Sequence, residues 1–168
     1  MTEPVPPLVS IITPSFNPAR FLDETMRSVL GQTYPNIEYI VIDGGSTDGS
    51  PEIIQKYADR LSYWQSQQDK GQTDAINQGF ARASGEILAW LNSDDILYPS
   101  AVSSAVQQMQ EHPKVGMVYA DCHWINAEGK VIGNFPAAQT NLKKLRRGYV
   151  HVPQQTAFFR ADLWRQVG

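Results

Sequence analysis

The chain has 168 residues, 42% of them apolar, with 14 Lys or Arg against 17 Asp or Glu and a formal net charge of −3. That length supports one domain with a full core and is too short for two comfortable ones, so 1–168 is read as a single unit. The acidic balance argues against a nucleic-acid partner, whose phosphate backbone calls for clustered Lys and Arg, and no run approaches the roughly 18 apolar residues of a membrane span.

The opening "MTEPVPPLVS" lacks a basic region followed by an apolar one, so no signal peptide is read and a cytoplasmic location is the default. "LVSII" (Leu8 to Ile12) is short, apolar and β-branched, and "TPSFNPAR" behind it supplies breakers, which predicts a strand and then a loop. Phe21, Leu22, Met26, Val29 and Leu30 fall on helical spacing, with Gly31 as the stop. "IEYIVI" (Ile37 to Ile42) is a second buried strand running into "DGGSTDGS". Ser50 then reads as an N-cap with Pro51 at the first helical position, ahead of Ile53, Ile54 and Tyr57.

Leu61 to Gln65 is a short third strand. A helix near Thr73 to Ser84 follows, with Ile76, Phe80 and Ala83 on one face and Gly85 as its stop, and delivers the chain to a strand at Ile87 to Leu91. Pro99 opens a helix with Ala101, Val102, Ala105, Val106 and Met109 inward. Strand-like "VGMVYA", a turn at Glu128 to Lys130 and strand-like "KVIG" complete the pattern. Strands alternating with helices imply a mostly parallel α/β sheet with helices on both faces. Ligands bind such sheets beyond the carboxyl ends of the strands, where "TPSFNP", "DGGSTDGS" and "NSDD" all fall.

Each rim segment carries two readings. In "DGGSTDGS", Asp43 follows a strand directly and is suited to accept hydrogen bonds from a base N–H or from ribose hydroxyls; the bland alternative is a Gly-rich turn with an Asx cap. The loop matches neither a dinucleotide fingerprint nor an EF-hand. In "NSDD", Asn92 and Asp94 sit two apart where a strand gives way to a loop, so both oxygens can meet at one point. Mg²⁺ or Mn²⁺, completed by substrate phosphates, suits such a pair, unless Asp94 or Asp95 simply caps the Pro99 helix. Lys70 and Gly71 precede a helix whose N-terminus favours anions; alternatively Asp69 or Thr73 caps that helix and Lys70 is solvated.

Elsewhere the readings are plainer. Lone Cys122 reads as a packed thiol, and Trp64, Trp90, Trp124 and Trp164 as core or edge packing, with sugar stacking left open for Trp124. Lys143, Lys144, Arg146 and Arg147 form either a solvated helix face or a contact to an anionic acceptor or membrane surface, so peripheral membrane association stays open.

Three separated segments, "VSIITPSFNPARFLDETMRSVLGQTYPNIEYIVIDGGSTDGSPEII", "DKGQTDAINQGFARASGEILAWLNSDD" and "VPQQTAFFRADLWRQVG", together resemble the family 2 glycosyltransferases, an inverting group with the GT-A fold. The resemblance implies a Rossmann-like domain that binds a nucleoside-diphosphate sugar, with a UDP-sugar the commonest donor, and passes the sugar to a saccharide acceptor, as in polysaccharide biosynthesis. It puts Thr13, Pro14 and Ser15 around the nucleotide, Asp43 at the base, Lys70, Gly71 and Asp74 on the nucleotide or diphosphate side, Asn92 and Ser93 in the D-x-D motif, and Asp94 on the metal. His151, Gln154 and Gln155 fall on the acceptor or sugar side.

Two departures stand out. Asn92 replaces the first Asp of D-x-D, and the family's general base lies downstream of the segment ending at Gly168. The chain is therefore expected to be truncated on its acceptor side, with uncovered apolar surface that favours self-association. A noncatalytic nucleotide-sugar-binding module is the rival reading. A nucleotidyltransferase is disfavoured because "TPSFNPAR" is poor in glycine and basic residues.

Overall fold

The computed structural model describes residues 5–148 and 152–167. Along the chain it contains β1 (Val9–Ser15), α1 (Ala19–Leu30), β2 (Ile37–Asp43), α2 (Ser50–Gln55), β3 (Tyr63–Ser66), α3 (Gln72–Arg82), β4 (Ile87–Trp90) and α4 (Ala101–Glu111). Beyond these lie β5 (Met117–Val118), β6 (Cys122–Ile125), β7 (Val131–Phe135), α5 (Leu142–Arg146), β8 (Phe158–Arg160) and α6 (Ala161–Val167). Six strands form one sheet in the order β3-β2-β1-β4-β8-β5, and β6 and β7 form a separate antiparallel hairpin. β1 to β4 are mutually parallel, while β8 runs antiparallel to both β4 and β5. This is the expected α/β architecture.

Alternation along each strand decides which helix it meets. Val9, Ile11, Tyr39, Val41, Ile87 and Ala89 face the layer of α1, α2 and α4, meeting Leu22, Met26, Ile54, Val102 and Met109. Ile12, Ile40, Ile42 and Leu88 face the opposite layer and meet Ala75 and Phe80 of α3 and Ala161 of α6. Trp90, Phe159 and Trp164 gather around Phe80 there, with ring centroids 6.1, 5.5 and 4.8 Å from it. Each fully buried Ile, Leu or Met is worth about 1.5–3 kcal/mol before its ordering cost.

Several boundaries differ from expectation for local reasons. β1 runs on through Thr13, Pro14 and Ser15, which the sequence reads as loop. Val9 and Ser15 bond towards β2, and Ile12 towards β4. By this alternation, Pro14's missing N–H faces β4 beyond the last β1–β4 pair, Ile12 with Trp90, where no ladder bond is lost. Ser50 is the first residue of α2 rather than its N-cap; left-handed Gly49 takes that place, and α2 ends before Tyr57. The N-cap of α4 is Ser100, so neither Asp94 nor Asp95 caps that helix.

The C-terminal half of α1 and the turn just after it fasten the loop behind β4. Thr25 Oγ1 donates to the Asp95 carbonyl at 2.8 Å, Ser28 Oγ accepts from the Leu97 N–H at 3.1 Å, and Gln32 Nε2 donates to the Tyr98 carbonyl at 2.8 Å. Among the described residues no helix is long and apolar enough to cross a membrane. The basic residues of α5 lie on an exposed five-residue helix capped by Asn141.

Candidate functional site

The loops after β1 and β2 are stitched into one rim. Asn17, held at φ 54°, accepts the Thr47 N–H on its side-chain oxygen at 2.9 Å, and its own N–H donates to Ser46 Oγ at 2.7 Å. Asp48 accepts the Ala19 N–H at 2.8 Å on one oxygen and both Ser50 donors on the other. The segments "TPSFNP" and "DGGSTDGS" thus hold each other's shape, with Phe16 68% exposed at their edge.

Asp43 sits beneath this rim, fully buried. Its Oδ1 accepts from the Ser15 and Ser46 hydroxyls at 2.7 and 2.6 Å. Its Oδ2 accepts from the Gly45 and Ser46 N–H groups at 3.2 and 2.9 Å and from the Ser66 hydroxyl at 2.7 Å. Burial alone would push this carboxyl up, but the bonds from Ser46, Ser66 and Ser15 outweigh it and hold it below the ordinary Asp value. In this arrangement both oxygens organise the loop. Thr13 and Ser15 also point inward: Thr13 Oγ1 lies 3.0 Å from Tyr39 OH, and Ser15 is spent on Asp43. What they and the buried Pro14 contribute to the rim is backbone.

The start of α3 forms the second wall. Gly71 has φ 105° and precedes the helix; Asp74 Oδ2 reaches back to the Lys70 N–H at 3.1 Å, and Asp69 Oδ1 accepts the Gly71 N–H at 2.7 Å. Asp74 and Asp69 therefore order this turn, while the Lys70 side chain is exposed.

At the end of β4 the amide of Asn92 is wired on both sides. Its oxygen accepts from Gln72 Nε2 at 2.8 Å, and its nitrogen donates to Asp95 Oδ2 at 3.2 Å and Gln154 Oε1 at 3.1 Å. Gln154 in turn donates to the Trp90 carbonyl at 2.8 Å, tying the C-terminal segment to the strand end. Sequence reading placed Gln154 on the acceptor or sugar side and missed this bridge, as it missed Ser66 at Asp43. Partly buried Ser93 lies between Asn92 and Asp94; His151 lies outside the described residues.

Asp94 is exposed and accepts no hydrogen bond among the described residues. Burial and then the Asp94 charge push the Asp95 carboxyl above its ordinary value, against the Asn92 hydrogen bond. No cluster of three or more His, Cys, Asp or Glu is arranged to hold a metal among the described residues. The Asn92 oxygen is taken by Gln72, so of the two Asp94 alone offers an oxygen ligand unpartnered among the described residues, of the kind that suits Mg²⁺ or Mn²⁺ completed by phosphates.

Next to this edge lies a cavity of about 300 Å³ between α4, β8 and the hairpin, lined mainly by apolar groups and including Asp95, Tyr98, Cys122, His123, Gln155 and Phe158. Cys122 is buried, as expected, and burial followed by the charges of Asp95 and Asp121 pushes its thiol up. Trp124 is 56% exposed on β6 rather than packed in the core.

Comparison with known proteins shows the family of the chain. The family model described as glycosyl transferase family 2 matches residues 10–166. The chain belongs to that family. An uncharacterised glycosyltransferase of Mycobacterium tuberculosis (strain CDC 1551 / Oshkosh) is 37% identical over 165 residues, which are 96% of this chain and 62% of the relative. One from Rickettsia typhi is 39% identical over 100 residues, 60% of this chain and 31% of the relative. Among solved structures, Staphylococcus aureus TarS 1-349 in complex with UDP-GlcNAc superposes with a TM-score of 0.77 at 22% identity, over 95% of this chain and 47% of its own. The mannosyltransferase PcManGT of Pyrobaculum calidifontis, in complex with GDP-Man and Mn²⁺, gives 0.72 at 22% identity, over 98% and 47%. These likenesses show the GT-A-like fold, and this family 2 chain spans about half of each of those two structures.

Proposed function

We propose that this chain forms the donor side of an inverting glycosyltransferase that takes a sugar from a nucleoside-diphosphate sugar, with Mg²⁺ or Mn²⁺, and gives it to a saccharide hydroxyl. The observation that carries this reading is Asp94: a free, exposed carboxylate at the end of β4, on the rim where the loops behind β1 and β2 and the start of α3 converge. The names of the neighbours support the donor class, since TarS was solved with UDP-GlcNAc and PcManGT with GDP-Man and Mn²⁺.

In this reading the backbone of Thr13–Asn17, at and just beyond the end of β1, and of the Gly44–Asp48 loop embraces the nucleoside. Lys70 and the N-terminus of α3 face the diphosphate, where an anion is favoured. Asn92, fixed by Gln72 and Gln154, holds the strand end so that Asp94 meets the cation. A divalent cation there supplies the charge that stabilises the departing diphosphate. The acceptor hydroxyl must lose its proton as the bond forms, and the resemblance assigns that proton to a carboxylate downstream of Gln154–Val167.

Calorimetric titration of UDP, GDP and TDP, with Mn²⁺ or with chelator, tests the reading. One nucleotide should bind with metal, and Asp94→Ala should abolish the metal-dependent part. Absence of binding by all three to folded protein would overturn it.

A further inference from the structure

We propose that Asp69, rather than Asp43, reads the base of the donor nucleotide and selects bases that present a ring N–H. The proposal rests on the donor-site reading above. A carboxylate at the end of β2 is the natural group to meet a base, but Asp43 is fully buried and takes five donors on two oxygens. A carboxylate offers about four lone-pair sites. Nothing is left for a ligand.

The next residue is Gly44, and space rather than backbone conformation demands glycine there. Its φ lies outside the left-handed range, yet a Cβ on it would fall 3.0 Å from Asp69 Oδ2 and 3.1 Å from both Cγ and Oδ1. The Asp69 carboxylate thus lies directly over the Gly44 backbone, in the volume that a side chain following Asp43 would fill. The two segments are laid together along their length. The Gln67 N–H donates to the Asp43 carbonyl at 2.9 Å, and a Cβ on Gly45 would come within 3.1 Å of the Gln68 nitrogen.

Asp69 is also held in place. Its Oδ1 accepts the Gly71 N–H at 2.7 Å, while Oδ2 accepts no hydrogen bond among the described residues and the side chain is only partly buried. One fixed, unspent carboxylate oxygen is therefore presented over the loop behind β2. It accepts hydrogen bonds and cannot donate. Uracil and thymine offer N3–H and guanine offers N1–H, whereas cytosine N3 and adenine N1 are acceptors that would face it lone pair to lone pair. The base class follows: UDP, TDP or GDP over CDP or ADP.

The test is equilibrium binding of UDP, TDP, GDP, CDP and ADP in Mn²⁺ to wild type and Asp69→Ala. It adds the N-methylated form of the preferred nucleotide, N3-methyl-UDP, N3-methyl-TDP or N1-methyl-GDP. Wild type should favour a ring N–H nucleotide over CDP and ADP by about tenfold or more, the scale of one hydrogen bond to a charged group. Methylation should cost wild type the same factor, and Asp69→Ala should respond to neither change. Unaltered selectivity in Asp69→Ala overturns the proposal. If that variant does not fold, wild type alone decides, since equal affinity for the methylated and unmethylated nucleotide also overturns it. Failure of wild type to bind any of the five would instead remove the donor-site reading beneath it.

Discussion

Ser46 grips Asp43 twice: its hydroxyl donates to Oδ1 at 2.6 Å and its backbone N–H to Oδ2 at 2.9 Å. With Ser15 from β1 and Ser66 from β3 adding a hydroxyl each, one carboxylate joins the ends of three strands. Asp43→Asn replaces an acceptor oxygen with an N–H₂ group pointed at donors, and strands at least two of them in a buried place. Urea denaturation should show a loss of about 3 kcal/mol. A loss under about 0.5 kcal/mol would mean that the cluster does not hold the rim.

The same carboxylate sets an acid limb of stability. Its folded pKa lies below the unfolded one, so between the two values the unfolded chain binds more protons and stability rises with pH. The contribution is complete above the ordinary Asp value and is lost as pH falls through the folded value. Stability measured against pH should fall more steeply on the acid side for wild type than for Asp43→Asn.

Asp95 acts with the opposite sign. Burial and the neighbouring Asp94 raise its folded pKa, so between the ordinary value and the raised one the folded chain binds more protons and stability declines as pH rises. Asp95→Asn should remove that decline, and its advantage over wild type should grow across that window and then level off. Unchanged slopes would show that Asp95 is not under this strain.

Asn92→Asp restores the charge that D-x-D motifs carry at this position. It loses the donors to Asp95 and Gln154, and adds a third carboxylate beside Asp94 and Asp95. Without metal the variant should be less stable by about 1–2 kcal/mol. With Mn²⁺ its melting temperature should rise more than that of wild type, because a ligand that binds only the folded state stabilises it.

Much of this fold is legible in the sequence, because β1 and β2 are rich in β-branched residues, β4 is a short apolar run ahead of a polar loop, and α1 and α4 keep clear helical spacing. β8 is not: three residues carry no periodicity, and its partners lie about seventy residues back in β4 and forty back in β5. The rim was legible as a place, since ligands gather at the carboxyl ends of parallel strands. The work of each side chain there was not. That Asp43 is spent internally depends on three serines arriving from different segments, and the wiring of Asn92 depends on Gln154, 62 positions further on.

In the proposed function, Asp94 brings a divalent cation to this rim together with a nucleoside diphosphate. The most direct measurement is paramagnetic broadening of assigned backbone amides by Mn²⁺ in the presence of UDP or GDP. Signals of Asn92 to Asp95 and of Gly71 and Gln72 should vanish first, and Asp94→Ala should leave them intact at the same Mn²⁺ concentration. Broadening centred on the cavity around Cys122 and His123, or broadening at the rim that survives in Asp94→Ala, would contradict the account.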